Sequence, residues 1–269
     1  MNFYVCSDQT VNCNLPYIFR FSNIIRMNMH WRVRGWPPPS LLKAYSLLPK
    51  DGMVLDVGCL HYHQARIAKH LGLTGLRHFG VDWGEGKDAP ESYTFKQANL
   101  NKEPIPFADD QFDFVVVSHL IEHLDHPVEF FGECVRVCKP GGILYFEAPS
   151  ERSLWVPGNP KNLDYFYTLS YFDDPTHILR VWTPQAFYRI AKLYSCEPIE
   201  AGRLFSWIHR ILSPLTIPFA WITGHRLLET CVWQTIGWAV FLIARKPLNV
   251  KGQPPFNYYV PGREYKIKI

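Results

Sequence analysis

Residues 98–148, ANLNKEPIPFADDQFDFVVVSHLIEHLDHPVEFFGECVRVCKPGGILYFEA, constrain this chain more than any other stretch. They read as an entry loop, a buried strand at 112–118, a helix at 127–138, a Lys-Pro-Gly-Gly turn and a second buried strand at 143–148. Two strands that are apolar throughout, joined by a helix, indicate a parallel sheet covered on both faces. Ligands of such sheets sit at the carboxyl ends of the strands. That end carries Ser118, His119, Glu122 and His123, which places the chemistry there.

The remaining elements extend the same alternation. Ser40 is the expected N-cap of a helix through Leu48, stopped by Pro49. Residues 53–57 form the first strand, 64–71 a helix, 79–81 a second strand ending in Asp82, and 92–96 a third. Beyond Ala148 comes a long aromatic-rich loop, 150–171, of the length that serves as a lid or binding loop. Thr183 is the expected N-cap of a helix to about Tyr194, with Pro184 in its first turn. Residues 196–202 and 238–244 complete the strands. The fold class is α/β, a doubly wound, mostly parallel seven-stranded sheet. Residues 1–39 form an N-terminal arm, 40–269 the domain, and 203–237 an apolar helical insertion before the last strand.

Composition narrows the class. With 47% hydrophobic and 19% charged residues the chain is a folded globular protein. A net charge of +4 permits an anionic ligand or membrane surface without arguing for nucleic acid. Seven cysteines, an odd number with no Cys-x-x-Cys pair, and a start lacking a signal-peptide pattern point to a reducing, cytoplasmic setting. No apolar run is long enough to span a membrane; the nearest, 211–224, is broken by Pro214 and Pro218. Peripheral contact with a membrane stays open.

VLDVGC (54–59), GVD (80–82), NLN (99–101), PIPF (104–107) and FDFVV (112–116) occur in that order. The combination resembles class I S-adenosylmethionine-dependent methyltransferases of the methyltransferase type 11 group, over about 41–148. The resemblance implies a Rossmann-like fold and S-adenosyl-L-methionine as cofactor. It places cofactor contacts at Asp56, Gly58, Cys59, Asp82, Trp83, Asn99, Leu100, Ser118 and His119. Gly58 would let loop amides approach the ligand, and Asp56 would accept from those amides or attract the cationic methionine part. Asp82 would take both ribose hydroxyls, Asn99 and Leu100 would meet adenine, and Ser118 and His119 would line the methyl end. The group has glycines where this chain has Leu60 and Tyr62, and an acid where it has Asn99. A first loop reshaped around the same cofactor is the expectation.

Other chemistries compete for the same residues. A dehydrogenase needs G-x-G-x-x-G after the first strand, and one of those glycines is present. HLIEH (119–123) matches an H-x-x-E-H zinc-peptidase pattern, but it directly ends a buried strand, where the resemblance expects Glu122 and His123 to open the next helix. His61 and His63 form another possible pair, better read as a solvated loop. No metal is expected. In DDPTH (173–177) the relatives place substrate-side residues; turn chemistry explains the Asp and Pro but not the His. If the acceptor is a hydroxyl, His177 and His123 are the candidate bases, with Glu122 as orienter. The arm, with Arg20, Arg26, His30, Arg32 and Arg34 among aromatics, reads as a packed arm or an anion patch. The insertion, with Trp207, Ile208, Ile211, Leu215, Phe219 and Ile222, reads as helices packed on the sheet edge, a dimer contact or an interfacial cover. The expected function is methyl transfer to a small acceptor, in sugar, polysaccharide or lipid-linked chemistry by family analogy. The rival is a non-catalytic domain binding a partner through the insertion.

Overall fold

The computed structural model describes residues 37–60, 62–86, 89–90, 93–158, 169–178, 181–223 and 228–248. Residues 1–36 of the N-terminal arm, with its arginines and His30, residues 159–168 of the 150–171 loop, and His61 lie outside these. In chain order the elements are α1 (Pro39–Ser46), β1 (Met53–Val57), α2 (His63–His70), β2 (Arg77–Asp82), β3 (Tyr93–Gln97), β4 (Phe112–Ser118), α3 (Pro127–Val137) and β5 (Cys138–Pro149). They continue with α4 (Pro184–Leu193), β6 (Glu197–Leu204), α5 (Trp207–Thr223), α6 (Leu228–Ile236) and β7 (Ala239–Arg245).

The seven strands form one sheet in the order β3-β2-β1-β4-β5-β7-β6. Neighbours from β3 to β5 pair parallel, and β7 runs antiparallel to both β5 and β6. The doubly wound, mostly parallel sheet expected from sequence is therefore present.

Continuous apolar runs in the central strands feed two cores at once. Leu55, Val57, Val115, Val117, Leu144 and Phe146 join Phe131 of α3 and Phe187 of α4 on one face. The alternate residues Val54, Phe114, Val116, Ile143 and Tyr145 meet Leu41, Ala44 and Tyr45 of α1 and Ile67 and Ala68 of α2 on the other. A period of two in strands buried on both sides produces this division. Strand order reverses between β1 and β4, so the crevice beyond their carboxyl ends is the topological switch point. Gly58 marks it: its φ is +78°, and a Cβ there would lie 3.2 Å from the Leu120 side chain.

Helix ends differ from expectation in two places. Thr183 caps α4 as expected, accepting from the Ala186 amide. Ser40, however, lies inside α1 behind a Pro38 cap, and its hydroxyl pairs with the Tyr145 hydroxyl at 3.1 Å. In the insertion, Pro214 and Pro218 do not break the helix; α5 continues through both. The Arg210 carbonyl, which Pro214 has no N–H to bond, instead accepts from the Ser213 hydroxyl at 2.8 Å. No helix among the described residues is long and apolar enough to cross a membrane.

Candidate active site

At the end of β1, Asp56 is buried. Burial pushes its carboxyl up to about 7, although the Gln64 amide and Tyr93 hydroxyl hydrogen-bond it and the Asp82 charge adds to the rise. Of the two roles expected for Asp56, accepting from the Gly58 and Cys59 amides is not the one these amides take. The Gly58 and Cys59 amides both donate to the Val81 carbonyl, at 2.9 and 3.4 Å, pinning the loop to β2.

An aromatic side chain anchors the loop. Tyr62 adopts φ +52°, the left-handed conformation glycine takes at little cost. Its ring is buried edge-on to Tyr93 with centroids 4.8 Å apart, and Cys59, Tyr62 and Tyr93 form a small core beneath the loop. Burial pushes the Cys59 thiol up to about 12, so Cys59 packs as a neutral group.

Asp82 closes β2 as a buried carboxylate, one oxygen accepting from the Gly84 amide at 3.1 Å. Beside it Trp83 exposes 77% of its surface, and its carbonyl accepts from the Gln97 side chain of β3 at 2.8 Å. Asn99 is exposed and folds its side-chain oxygen onto the Asn101 amide, while Leu100 packs against the core. A carboxylate with remaining acceptor capacity beside an open indole suits a ribose and an adenine. These residues fit the nucleoside part of S-adenosylmethionine.

Beyond β4 the chain does not enter a helix. Ser118 is partly buried, His119 takes φ +52°, and Ile121–His123 form a single 3-10 turn well before α3. The HLIEH pattern is thereby pulled apart, and the zinc-peptidase reading fails. His119 swings between two acids, its Nδ1 3.2 Å from Glu122 and its Nε2 3.2 Å from Glu147. Burial among protein atoms opposes its charge, but hydrogen bonds and attraction from both carboxylates override this and push it up to about 10. The side chain nonetheless keeps 41% of its surface open, and the two carboxylates favour its protonated form. Glu147 in turn accepts from Tyr145 at 2.7 Å, which meets Ser40.

His123 and His177 come together although 54 positions separate their numbers; their ring centroids are 4.8 Å apart. Glu122 orients neither through a hydrogen bond, its contact being with His119. The orienters are in DDPTH and the turn before it. Asp174 accepts from the Thr176 amide and hydroxyl at 2.8 and 2.6 Å, an Asx turn, and the Thr176 oxygen meets His123 Nδ1 at 2.9 Å. His177 Nδ1 donates to the Tyr171 carbonyl at 2.7 Å, and its ring stacks on Tyr171. Turn chemistry and histidine placement are thus both realised. Sequence reasoning missed Glu147, Tyr145 and Tyr171.

Residues 55–146 match the family model described as a methyltransferase domain. A probable S-adenosylmethionine-dependent methyltransferase of Mycolicibacterium smegmatis is 30% identical over 118 residues, 43% of this chain and 44% of that protein. A ubiquinone biosynthesis O-methyltransferase of Dinoroseobacter shibae is 25% identical over 57% of this chain and 63% of its own length. The chain thus spans about half the length of these curated relatives. A solved SAM-dependent methyltransferase from Archaeoglobus fulgidus superposes with TM-score 0.54, covering 86% of this chain and all of the other at 19% identity. That likeness is one of fold.

Proposed function

We propose that this chain, which carries a class I S-adenosylmethionine-dependent methyltransferase domain over residues 55–146, transfers a methyl group to a small-molecule acceptor bearing a hydroxyl. The observation that carries the reading is buried Asp82 at the carboxyl end of β2 beside exposed Trp83. Bound S-adenosylmethionine supplies a sulfonium methyl, and the electron pair of the breaking C–S bond stays on sulfur. The protein holds donor and nucleophile in line. Asp82 receives the ribose hydroxyls, Trp83, Asn99 and Leu100 flank the base, and Gly58, Cys59, Ser118 and His119 border the methionine end. With their Nδ1 hydrogens engaged, His123 and His177 each offer Nε2 to an acceptor proton.

Helix α5 gives the acceptor side an apolar character. Trp207, Ile208, Ile211, Leu215, Phe219 and Ile222 share a face and are between 63% and 76% exposed. Such a stripe suits an acceptor with an apolar tail, or contact with a membrane surface from the cytoplasm. Arg210, stacked on Phe205 at 3.7 Å, would meet headgroup anions. No nucleic-acid acceptor is part of this reading, and self-association through α5 is its alternative use.

Calorimetric titration with S-adenosylhomocysteine tests the proposal. Wild type should bind, and Asp82→Ala should lose about 10- to 100-fold in affinity, the worth of a charge-assisted hydrogen bond. Folded wild type that fails to bind would instead favour a non-catalytic domain working through α5.

A further inference from the structure

Glu122, His123 and His177 form a group that methyl transfer by a histidine base leaves unexplained. One ligand-type atom from each lies within 4.8 Å of the other two. Glu122 is 2% exposed, and its Oε2 is buried without a hydrogen-bond partner, since His119 engages Oε1. An unpartnered carboxylate oxygen in the interior is destabilising until a hydrogen-bond donor, a water or a cation completes it.

The histidines are set in the state a metal requires. Thr176 donates its hydroxyl hydrogen to Asp174, so toward His123 its oxygen accepts, which fixes the proton on His123 Nδ1. The Tyr171 carbonyl fixes the proton on His177 Nδ1 in the same way. In these neutral tautomers each Nε2 carries a lone pair, that of His177 lying 3.9 Å from Asp174 Oδ2. A ring N–H held by a carbonyl or hydroxyl while the other nitrogen ligates is the usual support of a metal-bound histidine. Two imidazoles and one carboxylate on one side leave open positions on a borderline ion.

We infer that Glu122, His123 and His177 bind a divalent transition-metal ion, zinc, manganese or cobalt in type, at the acceptor end of the cleft. The inference rests on the methyltransferase reading for its role and changes the part played by the two histidines. The ion acidifies an acceptor hydroxyl much as zinc acidifies water, and the proton passes to bulk solvent. The HLIEH pairing of His119 with His123 has no part in it, since His119 is held between Glu122 and Glu147. Closing the ligands onto one ion requires side-chain shifts of about 1 Å, given metal–ligand distances near 2.0–2.2 Å.

The test is titration of the chelator-stripped full chain with Co²⁺, followed by its visible spectrum, with Zn²⁺ competition and S-adenosylhomocysteine binding measured in parallel. One Co²⁺ per chain with histidine-type absorption, displaced by Zn²⁺, is expected. Glu122→Gln and His177→Ala should weaken binding by about 100-fold, and Thr176→Val by about 10-fold through loss of its support of His123. His177→Ala and Thr176→Val should keep their S-adenosylhomocysteine affinity and circular dichroism. Should a variant misfold, the wild-type spectrum and stoichiometry still decide. Absent Co²⁺ binding, or binding unchanged in the variants, overturns the metal site while leaving the cofactor reading intact. Metal binding without S-adenosylhomocysteine binding overturns the role assigned to the ion.

Discussion

Replacing Tyr62 by glycine sets two effects in the loop after β1 against each other. The backbone argument favours glycine. Tyr62 sits at φ +52°, and left-handed geometry costs a side-chain-bearing residue about 1–2 kcal/mol. The packing argument favours tyrosine. The ring is 5% exposed, lies edge-on to Tyr93 at 4.8 Å and faces Phe95 at 6.5 Å. Losing a buried aromatic costs about 3–5 kcal/mol, and glycine adds about 0.4–1 kcal/mol by loosening the unfolded chain. Packing therefore wins: Tyr62→Gly should destabilise by about 2–4 kcal/mol, a fall in Tm of roughly 4–16 °C for a domain of this size. Tyr62→Ala loses the ring and keeps the strain, so it should be worse again by a few tenths to about 1 kcal/mol. Urea unfolding followed by circular dichroism measures both. A glycine variant as stable as wild type, or more so, would show that the aromatic cluster does not hold the loop.

Three further outcomes follow from the same geometry. Asp56 holds its proton to about pH 7 when folded and to about 3.8 when unfolded. The unfolded state therefore binds fewer protons between these values, so its ionisation should erode stability as pH rises from about 4 to 7 and add nothing further above that. Asp56→Asn should remove that slope and be the more stable above pH 7, by on the order of 2–4 kcal/mol; parallel stability–pH curves would refute it. Gly80→Ala would put a Cβ 2.4 Å from the Tyr93 ring and 2.5 Å from Cys59 Sγ. Such overpacking should cost about 1–3 kcal/mol in chemical unfolding, and a neutral result would mean the cluster yields freely. Finally, Trp207→Ser with Ile211→Ser should reduce co-sedimentation with anionic phospholipid vesicles severalfold without changing the melting curve, because both side chains are mostly exposed.

Much of the scaffold was legible in the sequence because period and composition are local properties. The runs at 54–57 and 112–118 alternate between two cores, and that alternation is written in consecutive residues. Asp82 and Gly58 could be placed because they stand where strands end. The site's connections were not legible. Glu147 meets His119 only because β4 and β5 pair with Ser118 opposite Glu147, a register that single-strand patterns do not carry. Thr176 reaches His123 across the cleft from a distant turn. The left-handed turn at His119, which separates it from a helical HLIEH, is a conformation uncommon for any residue but glycine.

The placement of β7 carries a consequence for how the chain comes into being. β5 at 138–149 and β6 at 197–204 do not touch as neighbours; β7 at 239–245 lies between them and bonds to both. A ribosome emitting the chain from its N-terminus delivers β5 and β6 before the strand that joins them. Through that interval one edge of the nascent β1–β5 sheet lacks its partner, while the oily face of α5 has already emerged. Unpaired edges and exposed apolar surface are the hazards that chaperones meet. The final strand thus acts as the lock of assembly, and truncation before Ala239 should yield aggregates during translation rather than a smaller working domain.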